Sequence, residues 1–223
     1  MVVRAFAALA GLTTLLAAVA LLRTPAAGSA GLLALLGVLV AQAACVVAAR
    51  FGPLAERRVA PAALATGGTI GALVGLGYGL VLLAEYASPV VSRVDIPLGY
   101  GIVGTLVAGG LLAGGVAAYR AGGFRAGLAG ALWGAMATYM VWYPLVLITY
   151  HAFDGTAAQA RALRAEGSYD DFARSGMADF HAFVLQDMFG AGFYHLILNA
   201  AIALVFGSLA AGLAVTVHSG RKG

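Results

Sequence analysis

The chain has 223 residues, 62% of them hydrophobic and only 10% charged, with a net charge of +4 and a mean hydropathy of +0.94. A water-soluble domain carries about 25% charged residues, so a soluble fold does not fit, and no basic patch with interleaved aromatics points to nucleic acid. The lone cysteine, Cys45, rules out an intramolecular disulfide and a cysteine-based zinc site.

Six apolar stretches, 5–22, 30–49, 60–84, 98–119, 126–150 and 190–217, contain no Lys, Arg, Asp or Glu. Crossing a hydrocarbon core takes about 20 helical residues. The expected architecture is therefore an all-α polytopic membrane protein, a six-transmembrane-helix bundle forming one membrane domain over 1–223. The first stretch also resembles a secretory signal, with Arg4 ahead of it and Ala27-Gly28-Ser29-Ala30 behind. Its 18 residues exceed a signal core of about 7–15, and Arg23 follows directly. It is read as a retained span.

Orientation follows from the basic residues. Eight of the 13 Lys and Arg lie on the N-terminus, the second loop (Arg50, Arg57, Arg58), the fourth loop (Arg120, Arg125) and the C-terminus (Arg221, Lys222). The other three connections share five, three of them spread over the long fifth one. Both termini are thus expected in the cytoplasm of a plasma (inner) membrane, with the fifth connection outside. Gly52, Pro53 and Pro61 read as breakers in the second loop, and Pro89 and Pro97 as the ends of the third.

Small residues recur at helical spacing. Gly67, Gly71, Gly75 and Gly79 form one row, and Gly110/Gly114 and Gly130/Gly134 repeat it. Such rows let membrane helices approach closely. They serve either to pack this bundle or as seams for membrane-protein partners or a second copy. The pentapeptides Gly71-Ala-Leu-Val-Gly75 and Gly130-Ala-Leu-Trp-Gly134 echo one another.

Residues 150–199 are the one long polar interruption and hold six of the nine acids and three of the four histidines. Thr156-Ala-Ala-Gln159 and Ser168-Tyr-Asp-Asp171 both have the form of a capping box, predicting short helices that end near Gly167 and Gly176. Met177, Phe180, Val184 and Met188 form an apolar stripe on a third helix expected in the membrane interface. Together these predict a helical extracytoplasmic cap over 151–189.

Beneath the cap, Tyr139, Tyr143 and Tyr150 share a helix face, with Trp142 nearby and Pro144 expected to kink the helix. Tyr78, Tyr86, Tyr100 and Tyr194 fall in the same outer half. An interfacial aromatic belt explains Tyr86, Tyr100 and Tyr150; Tyr139 lies too deep for one. The candidate ligand-binding set is Tyr139, Trp142, Tyr143, Tyr150, His151, His181, Asp187, Tyr194, His195 and Asn199. His151, His181 and His195 are also weak candidates for a metal, for axial haem ligands or for a proton relay, against interfacial histidines satisfied by water and lipid. No HExxH, HxH or HxxxH spacing supports a metal, and no cofactor is strongly indicated.

No span holds the interior charge that marks proton-coupled transport, and neither a P-loop nor a GxSxG elbow is present. Catalysis is thus not indicated. The primary expectation is a transport or solute-binding membrane subunit with an outward polar-aromatic pocket. The alternatives are a non-catalytic assembly subunit of a larger membrane complex, and a membrane redox or metal protein using the outer histidines. In size and span count the chain is similar to the substrate-capturing subunits of energy-coupling-factor vitamin transporters, a likeness of architecture alone.

Overall fold

The computed structural model describes residues 2–51, 61–88 and 95–220, the side chains of 95–100 and 218–220 excepted. Among these residues every regular element is helical: α1 (Val2–Arg23), α2 (Gly28–Phe51), α3 (Pro61–Ala87), α4 (Asp95–Ala121), α5 (Phe124–Phe153), α6 (Ala157–Ala165), α7 (Ser168–Ser175), α8 (Phe180–Ile202) and α9 (Ser208–Gly220). A short 3₁₀ turn, Pro25–Ala27, joins α1 to α2, and a π-helical turn, Ala203–Gly207, joins α8 to α9 without a break. Six helical segments are long and apolar enough to cross a membrane, the last running from Phe180 to Val217. The breakers expected at Gly52, Pro53 and Pro89, the cations Arg57, Arg58, Arg93, Arg221 and Lys222, and the side chains of Pro97 and Tyr100 lie outside the described residues.

α5 is the central pillar. In it 67% of the apolar window is buried, against 17–28% in the other five spans, so α5 is packed nearly all round while its neighbours turn apolar side chains outward. Leu22, Leu33 and Leu213 are 81%, 69% and 68% exposed. The helix runs unbroken through Pro144.

The glycine rows build the inner half of the bundle. Gly67, Gly71 and Gly75 of α3 meet Gly130, Gly134 and Thr138 of α5 in parallel register, so closely that a Cβ on any of the three would collide with the facing carbonyl oxygen. The two echoing pentapeptides thus pack against each other. The Thr138 hydroxyl lies 3.0 Å from the carbonyl oxygens of both Gly71 and Gly134, a bond across the seam and one within α5. Gly114 of α4 likewise abuts Gly207 in the π-turn. These rows are filled within the chain; an oligomer seam would have to use open glycines such as Gly11, Gly37 or Gly77.

Residues 154–179 differ in detail from expectation. Thr156 caps α6, its hydroxyl accepting from Gln159 N at 3.2 Å, but Gln159 Oε1 accepts from Gly155 N at 2.9 Å, one residue earlier than a capping box would place it. Ser168 is not a cap. Gly167, at φ +82°, is the N-cap of α7, a left-handed position that favours glycine, and Ser168 becomes the first helical residue. The separate interfacial helix expected over 177–188 does not exist as such. Asp179 caps α8, its carboxylate accepting from Ala182 N at 2.8 Å, and α8 continues through Gly190 and Gly192 into the last span. Tyr169 and Phe172 of α7 pack on Phe180, with ring centroids 4.4 and 5.2 Å away, which pins α7 to the start of α8.

Candidate functional site

Following the seam between α3 and α5 past Gly75 and Thr138, small residues give way to large ones. Tyr78, Leu82, Glu85 and Tyr86 continue the glycine face of α3, while Trp142, Val146 and Thr149 continue that of α5. The helices enclose a cavity of about 290 Å³ completed by Leu163, Glu166 and Ser168 from α6 and α7, and by Phe183, Asp187 and His195 among others from α8. That volume equals about ten waters.

Aromatic stacking sets its floor. The Tyr78 and Trp142 rings lie parallel within 12° at 5.0 Å, and the Trp142 ring is 4.6 Å from the His195 imidazole. Trp142 is only 5% exposed, and its indole Nε1 is buried without a hydrogen-bond partner among the described residues. The His195 Nδ1 lies 2.8 Å from the Ala191 carbonyl oxygen. A carbonyl only accepts, so Nδ1 carries the proton, and in the neutral ring Nε2 is left as an acceptor facing the Tyr78 hydroxyl at 3.4 Å. That contact is longer than an ordinary O–H hydrogen bond. Three carboxylates, Glu85, Glu166 and Asp187, reach the wall from three elements, and no Lys or Arg lines it among the described residues.

Four of the ten candidate residues line this cavity: Trp142, Tyr150, Asp187 and His195. The other six do not. Tyr139 and Tyr143, both fully buried, stack on each other at 5.6 Å away from it. Tyr143 donates to the Met188 carbonyl at 3.3 Å and packs on Gly192. The Tyr139 hydroxyl is buried without a partner among the described residues, as are the amide atoms of Gln42 on α2. Helical spacing groups Tyr139 with Tyr150 correctly, but α5 is buried on several sides, and this part of the face looks into the apolar core instead.

His151 Nε2 lies 2.9 Å from the Leu16 carbonyl oxygen and so serves to join α5 to α1. His181 is exposed, 4.0 Å from Asp154, at a smaller cavity of about 130 Å³ that shares Tyr150 and Val184 with the main one. Tyr194 is 60% exposed. Asn199 lines a space of about 20 Å³ against Gly71, Gly110 and Thr138, its Oδ1 without a partner among the described residues; that is room for one water. The three histidines thus occupy three different places, and among the described residues no group of three or more His, Cys, Asp and Glu is placed to hold a metal ion.

Glu85, Glu166, Leu163 and Phe183 line the cavity without having been singled out from the sequence. A signal for Glu85 existed: Tyr78 and Glu85 are seven apart, two helical turns along one face. No protein-family model, curated protein or solved structure matches the chain, so its likeness in architecture to vitamin-transport subunits carries no argument.

Proposed function

We propose that the chain is a membrane-embedded solute-binding or transport subunit whose ligand sits in the cavity between α3, α5, α8 and the α6–α7 cap. The observation that carries this reading is a polar-aromatic cavity of about 290 Å³ walled partly by a buried indole N–H that has no partner among the described residues. Buried donors are rarely left unsatisfied, and a solute bearing an acceptor would satisfy this one. A site of this kind, mostly apolar with a few convergent polar groups, is the usual form of a small-molecule pocket.

In this reading the outward leucines of α1, α2 and α9 face lipid, which accounts for an apolar surface that water would penalise. The termini lie in the cytoplasm of the plasma membrane and the cap lies outside, as the distribution of Lys and Arg requires. In a Cys45→Ala background, Ala165→Cys on the cap should react with an impermeant thiol reagent added outside, and Gly123→Cys before α5 should not. The reverse labelling would invert the topology.

The pocket is tested by thermal-shift screening of the purified chain in mild detergent against chemically diverse small solutes. Ala191→Phe, which adds a ring to the cavity wall, should weaken binding of any hit by about tenfold or more, the equivalent of about 1.4 kcal/mol. Hits that bind this variant unchanged place the solute elsewhere. A chain that no solute stabilises, and that instead co-purifies with a membrane partner, would support the assembly role.

A further inference from the structure

We propose that the solute of this cavity is a small organic cation: an amine or quaternary ammonium group carried on a compact apolar body. The proposal rests on the reading of the cavity as a solute site and assigns the class of solute. Glu85, Glu166 and Asp187 bring three carboxylates to the wall from three separate elements, and among the described residues no Lys or Arg joins them there. An anion entering this space meets three like charges, and a neutral solute gains nothing from the field that a cation gains.

Glu85 and Glu166 each interact with other groups as well, so the direct counter-charge is assigned to Asp187. Its side chain is exposed, and among the described residues it forms no ion pair or hydrogen bond. His195 does not supply the missing positive charge, since Nδ1 is already committed to the Ala191 carbonyl and its neutral form leaves Nε2 as an acceptor toward Tyr78. The remaining wall is aromatic, with Tyr86, Trp142 and Tyr150 around the same space. Ring faces attract ammonium groups, most strongly when water is excluded. Carboxylate and aromatic wall together recognise charge and apolar body at once, and the cavity's ten or so water volumes limit that body to a small one.

The test uses the full chain and three probes of one shape: phenethylamine, its neutral isostere 2-phenylethanol, and the anion phenylacetate. Isothermal titration and thermal shift should show saturable binding of the amine, with the alcohol and the carboxylate weaker by about tenfold or more, a charge-pair-sized difference. Asp187→Asn should weaken the amine by about tenfold and leave the alcohol unchanged, and Asp187→Glu should restore most of the loss. Repeating the amine titration in phosphatidylglycerol nanodiscs, with and without phosphatidylcholine, separates two sources of the same chemistry. Competition by the choline lipid identifies a lipid headgroup, and its absence a soluble amine; either outcome supports the proposal. Equal binding of the three probes, unchanged amine binding in Asp187→Asn, or no amine binding to folded protein would overturn it. If a neutral or anionic solute binds and is lost in Ala191→Phe, the cation class falls while the site stands. If nothing in a diverse set binds, both fall.

Discussion

The inner and outer halves of the α3–α5 pair are built from the same two helix faces and do opposite things. At Gly67, Gly71 and Gly75 the helices touch backbone to backbone. One turn further, at Tyr78 and Trp142, the same faces hold a cavity of about 290 Å³ between them and the cap. What changes is side-chain size along a single helical stripe. Glycine permits an approach closer than the usual interaxial distance of about 8–10 Å, and a parallel pair pinned this tightly at one end must open where aromatic residues begin. The seam is therefore part of the pocket's construction: it holds the two walls in fixed register, so that Tyr78 and Trp142 stack and the carboxylates lie across from them.

The strongest way to break the seam is Gly71→Val. The new side chain starts where the Gly134 carbonyl oxygen already sits, and backbone, unlike a flexible side chain, has little room to move aside. Overpacking of this kind costs about 3 kcal/mol or more. The expected outcome is loss of monodisperse protein on gel filtration, or a melting temperature lower by roughly 6 °C or more. Wild-type behaviour would mean that the helices are not in contact there.

The comparison also shows what could be read without coordinates. Helix positions were legible because each apolar run of about 20 residues is bounded by Arg, Pro or polar clusters, and Thr156 was legible as a cap because its hydroxyl lies three residues before Gln159. Ser168 carried the same signature and failed, because Gly167 beside it takes the left-handed position that ends one helix and begins the next. The break expected near Gly190 failed because two glycines do not interrupt a helix whose backbone bonds have no competing partners in an apolar setting. For the site, periodicity within α5 alone grouped Tyr139 with Tyr143 and Tyr150. Which face of α5 looks into the cavity is decided by α3, and the evidence for that was the paired glycine rows. Extending the Gly71–Gly75 row outward reaches Tyr78, Leu82 and Glu85, and extending Gly134 by fours reaches Thr138 and Trp142. Those two extensions name the wall that single-helix reasoning divides.

A smaller effect separates hydrogen bonding from close packing in the seam. Thr138→Val keeps the shape but removes a hydroxyl shared between Gly71 and Gly134 carbonyls at 3.0 Å each. Hydrogen bonds between membrane helices average about 0.6 kcal/mol and reach about 1.7, so the expected loss is about 1 kcal/mol, measured by unfolding in graded denaturing detergent. Thr105→Val is the matched control. Its hydroxyl bonds only to Gly101 of its own helix, and its removal should change stability by less than about 0.5 kcal/mol. Equal losses in the two would show that the cross-helix arm at Thr138 contributes nothing.

The smallest effect is also the sharpest, because it asks for a change of sign over two residues. A Cβ on Gly75 would collide with the Thr138 carbonyl, whereas around Gly77 nothing among the described residues lies within 4 Å of the same built atom. Both glycines sit mid-helix in α3 with ordinary helical backbone. Their intrinsic helix propensity is therefore the same, and only the surroundings differ. Alanine is better than glycine in a helix by about 0.8–1.0 kcal/mol in water, a gain that shrinks where the unfolded chain stays helical in lipid or detergent. Gly77→Ala should thus leave the melting temperature unchanged or slightly raised, while Gly75→Ala should lower it. Gly77 also borders an apolar groove of about 340 Å³ between α3 and α4, which one methyl group does not fill, so binding in the main cavity should be untouched by that substitution. If both variants lose stability alike, α3 is intolerant of any side chain along its length. The contrast between a closed inner seam and an opened outer wall would then have no basis in the glycines.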